Sequence, residues 1–438
     1  MPEIREKFQS KTGFILACIG SAVGMGNIWL FPYKVGQLGG SAFIIPYFIF
    51  VILLGFSGVI EEMALGRVME TGPLGAFKKA MERRNKKYGE IIGIIPVIGS
   101  LGIAVGYSVV VGWILKFSIQ SFTGAVTSSE NSGAFFGSIA GKFGSLSWHI
   151  AAIILVILIM NLGVGKGIEK VNKIMMPLFF FMFLFLAVRV FFLENSSEGY
   201  NFLFKTDWSK LANPTTWIFA LGQAFFSLSL AGSGTVVYGS YLKKDEDIVE
   251  SAIFVSIFDT IAAMLAALVI IPAVFAYGVE PSAGPPLMFI VMPEIFKKMP
   301  LGIVFCSIFF LAVLFAGITS LITLFETPIE ALQNKFKISR LSSVLIVMGL
   351  GFVVAIFLED GNILGNWMDY ISIYIIPLGA LLAGIMFYWV CEEDFAYNAI
   401  ITGSKYKNMR WLIPLGKYLF CGLTLFVVIA GIIYNGIG

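Results

Sequence analysis

The chain has 438 residues, a mass of 47.9 kDa, 58% hydrophobic and 13% charged residues, a mean hydropathy of +0.88 and a net charge of +3. Soluble domains of this size carry about 25% charged residues. A cytosolic enzyme, a secreted disulfide scaffold and a disordered protein are therefore excluded, and so small a net charge indicates no nucleic-acid surface.

Long apolar runs instead predict an all-α polytopic membrane protein. Eleven transmembrane helices are expected, at 12–36, 41–66, 89–118, 148–165, 171–193, 214–242, 249–279, 300–333, 341–358, 367–391 and 411–436. The first run begins near Thr12 and is too long for the h-region of a cleavable signal peptide. Lysine and arginine placement sets the orientation. With the N-terminus cytoplasmic, the cytoplasmic segments hold Arg5, Lys7 and Lys11, the loop from Arg67 to Lys87, Lys166 to Lys173, Lys243 and Lys244, Lys335 to Arg340, and Lys405 to Arg410. The opposite side receives far fewer, and an odd span number puts the C-terminus outside, in a plasma (cell inner) membrane. Cys18, Cys306, Cys391 and Cys421 are far apart in apolar segments and read as small core hydrophobes. His149, the only histidine, reads as an interfacial residue at the edge of span 4. No Ser/His/acid set, metal cluster or phosphate loop is evident.

Two spans carry unusual centres. Span 1 reads Gly20-Ser21-Ala22-Val23-Gly24-Met25-Gly26-Asn27, and span 6 reads Ser227-Leu228-Ser229-Leu230-Ala231-Gly232-Ser233-Gly234. Glycine weakens helix and serine competes for backbone hydrogen bonds, so both helices are expected to break at mid-membrane. Bare N–H and C=O groups at that depth are tolerable only where they line a cavity or bind something. Matched breaks five spans apart predict a transporter with a 5+5 inverted repeat. The first repeat covers 12–193 (spans 1–5) and the second 214–391 (spans 6–10), within a single transporter domain over 1–438. Residues 411–436 form an extra span 11. Asp259, well inside span 7, is costly there and a functional candidate by default. A channel would need a symmetric pore, and a membrane enzyme would need an acid–base pair. A proton-coupled amino-acid permease of related fold is the nearest alternative.

The stretches Gly20–Pro32, Gly39–Arg67, Gly222–Tyr241, Phe315–Ser320 and Asp369–Gly379 make the chain similar to the neurotransmitter:sodium symporter family, in its bacterial amino-acid transporter branch. The resemblance implies sodium-coupled symport of an amino acid across the lipid bilayer by alternating access, with no enzymatic activity and no nucleic-acid partner. It implies two sodium ions. The first would be held by the Ala22 carbonyl, Asn27, Ser227 and Asp259. The second would be held by the carbonyls of Gly20, Val23 and Ala316 and the hydroxyls of Thr319 and Ser320. The substrate carboxylate would meet the first ion, Gly26 N–H and Tyr107, and its ammonium would meet Ala22, Phe226, Ser227 and Ser229. Met25, Ile103, Phe226, Gly232, Ser320 and Leu324 would line the side-chain pocket.

Position 24 carries an acid in monoamine members and is Gly24 here, so the substrate is expected to bring its own carboxylate. Gly232 stands where a bacterial leucine-transporting member has a bulky side chain. It either opens the pocket to larger, aromatic side chains or serves the break. Phe226 and Asp369 match the outer gate, but Leu30 replaces its arginine, leaving Lys34 as a loose substitute or Phe226 alone. Arg5, Phe8, Ser240 and Tyr241 match the inner gate, whose acid is replaced by Asn334. Glu62 matches an acid that caps the unwound part of span 6, while Tyr47 and Gln223 match residues around a chloride position. Asp259 supplies a negative charge where relatives often have Asn, and Ala263 stands where a separate acid can occur, so no chloride requirement is expected. Glu326 and Glu330 on span 8 have no assigned role.

Overall fold

The computed structural model describes residues 6–230, 233–278 and 287–437. Among them every regular element is helical. Ser10 opens the first helix by accepting from Gly13 N–H at 3.1 Å, as an N-cap should. The principal helices are α1 (Lys11–Ala22), α2 (Gly26–Leu38), α3 (Ser41–Met69), α4 (Gly89–Phe122), α5 (Leu146–Asn161) and α6 (Val164–Phe191). They continue as α7 (Pro214–Ser227), α8 (Gly234–Ser240), α9 (Ile248–Ala276), α10 (Gly302–Phe336), α11 (Arg340–Leu358), α12 (Gly361–Val390) and α13 (Leu412–Tyr434).

Eight of these are long and apolar enough to cross a membrane, and nine if α1 and α2, bent by 51° to each other, form one span. Helix α5 is shorter, at 16 residues. The sixth apolar run is divided into α7 and α8, of 14 and 7 residues. Helix α12 starts at Gly361, before the expected 367, because Asp360 caps it by accepting from the N–H groups of Asn362 and Ile363.

Burial divides the helices into two classes. Helices α4 and α10 are mostly enclosed and pack extensively on each other. Helices α6, α11 and α13 expose large apolar residues, among them Phe181, Leu184, Val188, Leu350, Val353, Ile429 and Ile433. An apolar exterior around a packed interior is what a bilayer requires of a multi-pass protein. The four cysteines are buried and free.

Small residues set how closely the central helices approach. A Cβ on Gly66 of α3 would stand 1.9 Å from the Val236 carbonyl oxygen, and one on Gly239 of α8 would stand 2.5 Å from the Met63 carbonyl oxygen. The α3–α8 contact is thus backbone against backbone. Gly66→Leu should cost about 1–3 kcal/mol or prevent folding, because the obstacle is main chain and cannot swing away. Thermal unfolding of the purified variant in detergent checks this; a melting temperature equal to wild type would disprove the close approach.

Candidate substrate and ion site

The two interruptions meet in the middle of the bundle. After Ala22 the chain turns extended at Val23 (φ −72°, ψ 102°) and resumes helix at Gly26. Between α7 and α8 the turn is made by Ser229 and Ser233, at φ 57° and 50°. Left-handed serines cost about 1–3 kcal/mol each, a strain that persists only where surrounding contacts hold it. One such contact joins the breaks: Ser21 Oγ lies 3.1 Å from Ser229 Oγ. Ala231 and Gly232 lie outside the described residues, so the Gly232 expectation falls there too.

Three of the residues named for the first ion form one buried cluster. Asn27 Nδ2 donates to Asp259 Oδ1 at 2.7 Å, to the Asp259 carbonyl at 3.1 Å and to Ser227 Oγ at 3.0 Å. Ser227 Oγ donates to Asp259 Oδ2 at 2.7 Å, and the Tyr47 hydroxyl lies 3.1 Å from Ser227 Oγ and 3.5 Å from Asp259 Oδ2. Gln223 holds the start of α2 by donating to the Gly26 carbonyl at 2.9 Å. Tyr47 and Gln223 therefore surround the Asp259 carboxylate and the α2 terminus.

The residues named for the second ion gather on the other side of the first break. The last carbonyls of a helix have no intrahelical partner, and here those of Gly20 and Val23 accept from Ser320 Oγ, each at 3.1 Å. Thr319 Oγ1 bonds back to its own helix, to Phe315 at 3.0 Å and Ala316 at 3.1 Å. The set is carbonyl and hydroxyl oxygen throughout, the donor type a hard cation prefers.

Between the two clusters is a small cavity lined by Ala22, Met25, Gly26, Ile103, Tyr107, Phe226, Ser229, Ser320 and Leu324, all named from sequence. Ser21, Gly24 and Ile376 also line it. Ile376 was not legible because it belongs to α12, remote in sequence and without a polar signal. The Tyr107 hydroxyl accepts from Met25 N–H at 3.2 Å. Ser227 is turned to Asp259 and does not line the cavity.

Phe226 borders this cavity and a second one that contains Asp369, so its ring separates the two. Lys34 Nζ lies 4.1 Å from the Phe219 ring centroid, a cation–π arrangement, and no Lys34–Asp369 ion pair occurs among the described residues.

At the end of the bundle near the N-terminal segment, Phe8 packs edge-on against Phe14, Tyr238 and Tyr241, and its N–H donates to the Tyr241 carbonyl at 3.2 Å. Ser240 Oγ bonds the Val237 carbonyl of its own helix at 2.5 Å. Arg5 lies outside the described residues. Asn334 bonds Thr71 and Glu330, and Glu330 also accepts from Gly72 N–H at 2.7 Å, fastening the loop after α3 to α10. A buried ion pair at this end is Glu326–Arg340. Arg340 donates through both terminal nitrogens, at 2.9 and 2.8 Å, and the Tyr241 hydroxyl donates to the same carboxylate at 2.8 Å. Glu326 thus has the partner that sequence reading did not find, because Arg340 follows a chain reversal. Glu62 of α3 is fully buried, and neither of its carboxylate oxygens has a hydrogen-bond partner among the described residues.

His149 corrects another expectation. It is fully buried, not interfacial, with Nε2 2.9 Å from Ser108 Oγ and Nδ1 3.2 Å from Glu359 Oε1. Glu359 also accepts from Ser145 N–H at 3.1 Å. The Ser–His–Glu order exists, but all three side chains are sealed from solvent, and a nucleophile without access to substrate performs no chemistry. The set ties α4 and α5 to the end of α11.

Arg340→Leu leaves the Glu326 carboxylate buried beside the Tyr241 hydroxyl. It should cost about 3–5 kcal/mol, while the pair Glu326→Leu with Arg340→Leu should recover most of the loss. Thermal melts of the single and double variants decide this, and equal melting of both would refute the coupling.

The model of the sodium:neurotransmitter symporter family matches residues 5–135 and 134–436. The chain is 35% identical over 433 residues to an uncharacterized sodium-dependent transporter, YhdH, of Bacillus subtilis, covering 93% of this chain and 95% of that one. It is 31% identical over 454 residues to an uncharacterized sodium-dependent transporter of Methanocaldococcus jannaschii, covering 98% and 90%. A crystal structure of MhsT in complex with L-phenylalanine superposes with a TM-score of 0.88 at 33% identity, over 97% of this chain and 99% of that one. The chain belongs to the sodium:neurotransmitter symporter family, whose members are transporters and not enzymes.

Proposed function

We propose that the protein symports a neutral amino acid with a hydrophobic or aromatic side chain together with two sodium ions, by alternating access and without chloride. The observation that carries this reading is the buried cluster of Asn27, Ser227 and Asp259 beside a cavity that Tyr107 and the start of α2 border. A helix N-terminus and a hydroxyl suit a carboxylate. Ile103, Leu324, Ile376 and Phe226 suit an apolar side chain. A Cβ on Gly24 would lie 2.7 Å from Ser320 Oγ and 2.9 Å from the Tyr107 hydroxyl. With glycine at position 24 no acidic side chain there can meet the substrate's amine, and in this reading the carboxylate comes with the substrate. The phenylalanine bound to MhsT supports the same class.

The reading includes eleven spans with a cytoplasmic N-terminus, a first repeat over 12–193, a second over 214–391 and an added span at 411–436. The matched breaks after α1 and α7 support it. The Glu326–Arg340–Tyr241 contact then closes the cytoplasmic side, and Phe226 covers the substrate from outside. Sodium supplies the work. A tenfold gradient gives about 1.4 kcal/mol per ion, and roughly 100 mV adds about 2.3 kcal/mol per charge. Two ions with a zwitterion give about 7 kcal/mol, or roughly 10⁵-fold accumulation.

Uptake of radiolabelled phenylalanine into proteoliposomes should vanish when choline replaces sodium. Uptake that survives would favour the proton-coupled permease. In the double variant Thr319→Ala, Ser320→Ala the half-saturating sodium concentration should rise roughly tenfold, because two hydroxyl oxygens are lost; an unchanged value would sink the second ion site.

Chloride independence rests on Asp259. Two sodium ions and one substrate carboxylate leave a net positive charge, which is costly away from water unless a negative group is near. The Asp259 carboxylate is that group, bonded by Asn27 and Ser227 with Tyr47 alongside. Wild-type uptake should be equal in gluconate and chloride, whereas Asp259→Asn should be inactive in gluconate. A wild type that stops in gluconate would show that Asp259 is not the counter-charge.

A further inference from the structure

We propose that Asn172 of α6 is an additional oxygen ligand of the cation held between α1 and α10, binding it directly or through one water molecule; this rests on the sodium-coupled reading above. Asn172 is fully buried. Its Nδ2 donates to the Ile168 carbonyl, one turn back in α6, at 2.8 Å. That bond fixes which way the amide faces, since only the NH₂ end can donate to a carbonyl. Oδ1 is thereby turned away from its own helix, and it accepts no hydrogen bond among the described residues.

The direction it takes is specific. A Cβ built on Gly20 would stand 2.0 Å from Asn172 Oδ1 and 3.0 Å from Thr319 Cβ. One point beside Gly20 is therefore bordered by an amide oxygen from α6 and by the threonine of α10. The Gly20 carbonyl and Ser320 hydroxyl of the same locus are 3.1 Å apart. Asn172 Oδ1 of α6 and Thr319 of α10 thus both face Gly20 of α1, whose carbonyl accepts from Ser320; the carbonyls and hydroxyls already described come from two helices, and Asn172 brings an oxygen from a third. A buried amide oxygen without a donor is costly, and native proteins give such groups a partner. A hard cation, or a water bound to it, is the partner this oxygen-rich locus fits. An asparagine contributes that oxygen without adding charge. The glycine opposite is also explained, because any side chain at position 20 would occupy the space between them.

The test uses sodium itself as the probe. The full-length protein in detergent is titrated with sodium chloride, choline chloride holding ionic strength constant, and the sodium-induced rise in melting temperature is followed for wild type, Asn172→Ala and Asn172→Asp. The expected result is a half-saturating sodium concentration raised roughly tenfold in Asn172→Ala, with Asn172→Asp, which keeps an oxygen, much nearer wild type. A purely structural role would lower melting equally in sodium and choline and leave the half-saturating concentration unchanged, and that result overturns the assignment. A wild type that does not respond to sodium would sink the sodium reading itself, so the two failures are distinguishable. If Asn172→Ala does not fold, Asn172→Ser provides the same titration with a shorter oxygen donor, and a wild-type sodium affinity paired with full loss in Thr319→Ala would equally overturn it.

Discussion

Everything at the centre of this protein follows from one constraint: a backbone group withdrawn from water has to bond to something. Unbroken helices meet it within themselves. Helices α1/α2 and α7/α8 do not, and each leaves carbonyls and N–H groups loose among apolar side chains. The structure meets the demand locally. Ser320 serves the carbonyls of Gly20 and Val23, Gln223 serves that of Gly26, Tyr107 serves the N–H of Met25, and Asn27 Oδ1 serves that of Gly24. Such bonds are worth about 1 kcal/mol each. They can be exchanged for bonds to an ion or a carboxylate at small net cost, which is what a binding site that must also release its cargo needs.

Three of the buried acids obey the same logic at higher stakes. Asp259 sits in a shell of amide and hydroxyl donors. Glu326 is matched bidentately by Arg340 and again by Tyr241. Glu359 takes His149 and a backbone N–H. Replacing a buried ion pair with apolar residues is often neutral, whereas removing one partner is strongly destabilising. These sets therefore fix arrangement more than they add stability. The Glu326 set joins α10, the start of α11 and the end of α8, and it stands against the Phe8 cluster. Separating that desolvated pair would be costly, so the contact holds these three segments together firmly.

The sequence by itself determined the helical membrane class, the run boundaries to within several residues and the two breaks. The reason is that these are local or compositional facts. Apolar run length reports a span, a Gly/Ser run reports where helix fails, and an aspartate amid apolar residues marks a functional candidate whatever its neighbours. The short motifs around Gly20, Ser227 and Thr319 carried the rest through family resemblance.

What only the tertiary structure decided are the partnerships. Glu326 and Arg340 are 14 residues apart across a chain reversal, and His149 and Glu359 are 210 apart. Neither separation has a periodicity that a sequence can display. Lys34 lies within a turn of the missing arginine's place, yet it is drawn to the Phe219 ring, because side-chain direction and not spacing selects a partner. Ile376 enters the cavity for a similar reason: an isoleucine in an apolar run is indistinguishable from its neighbours until packing turns it inward. Hydrogen bonds and ion pairs depend on ångström distances between residues far apart in the chain, and the fold alone sets those distances.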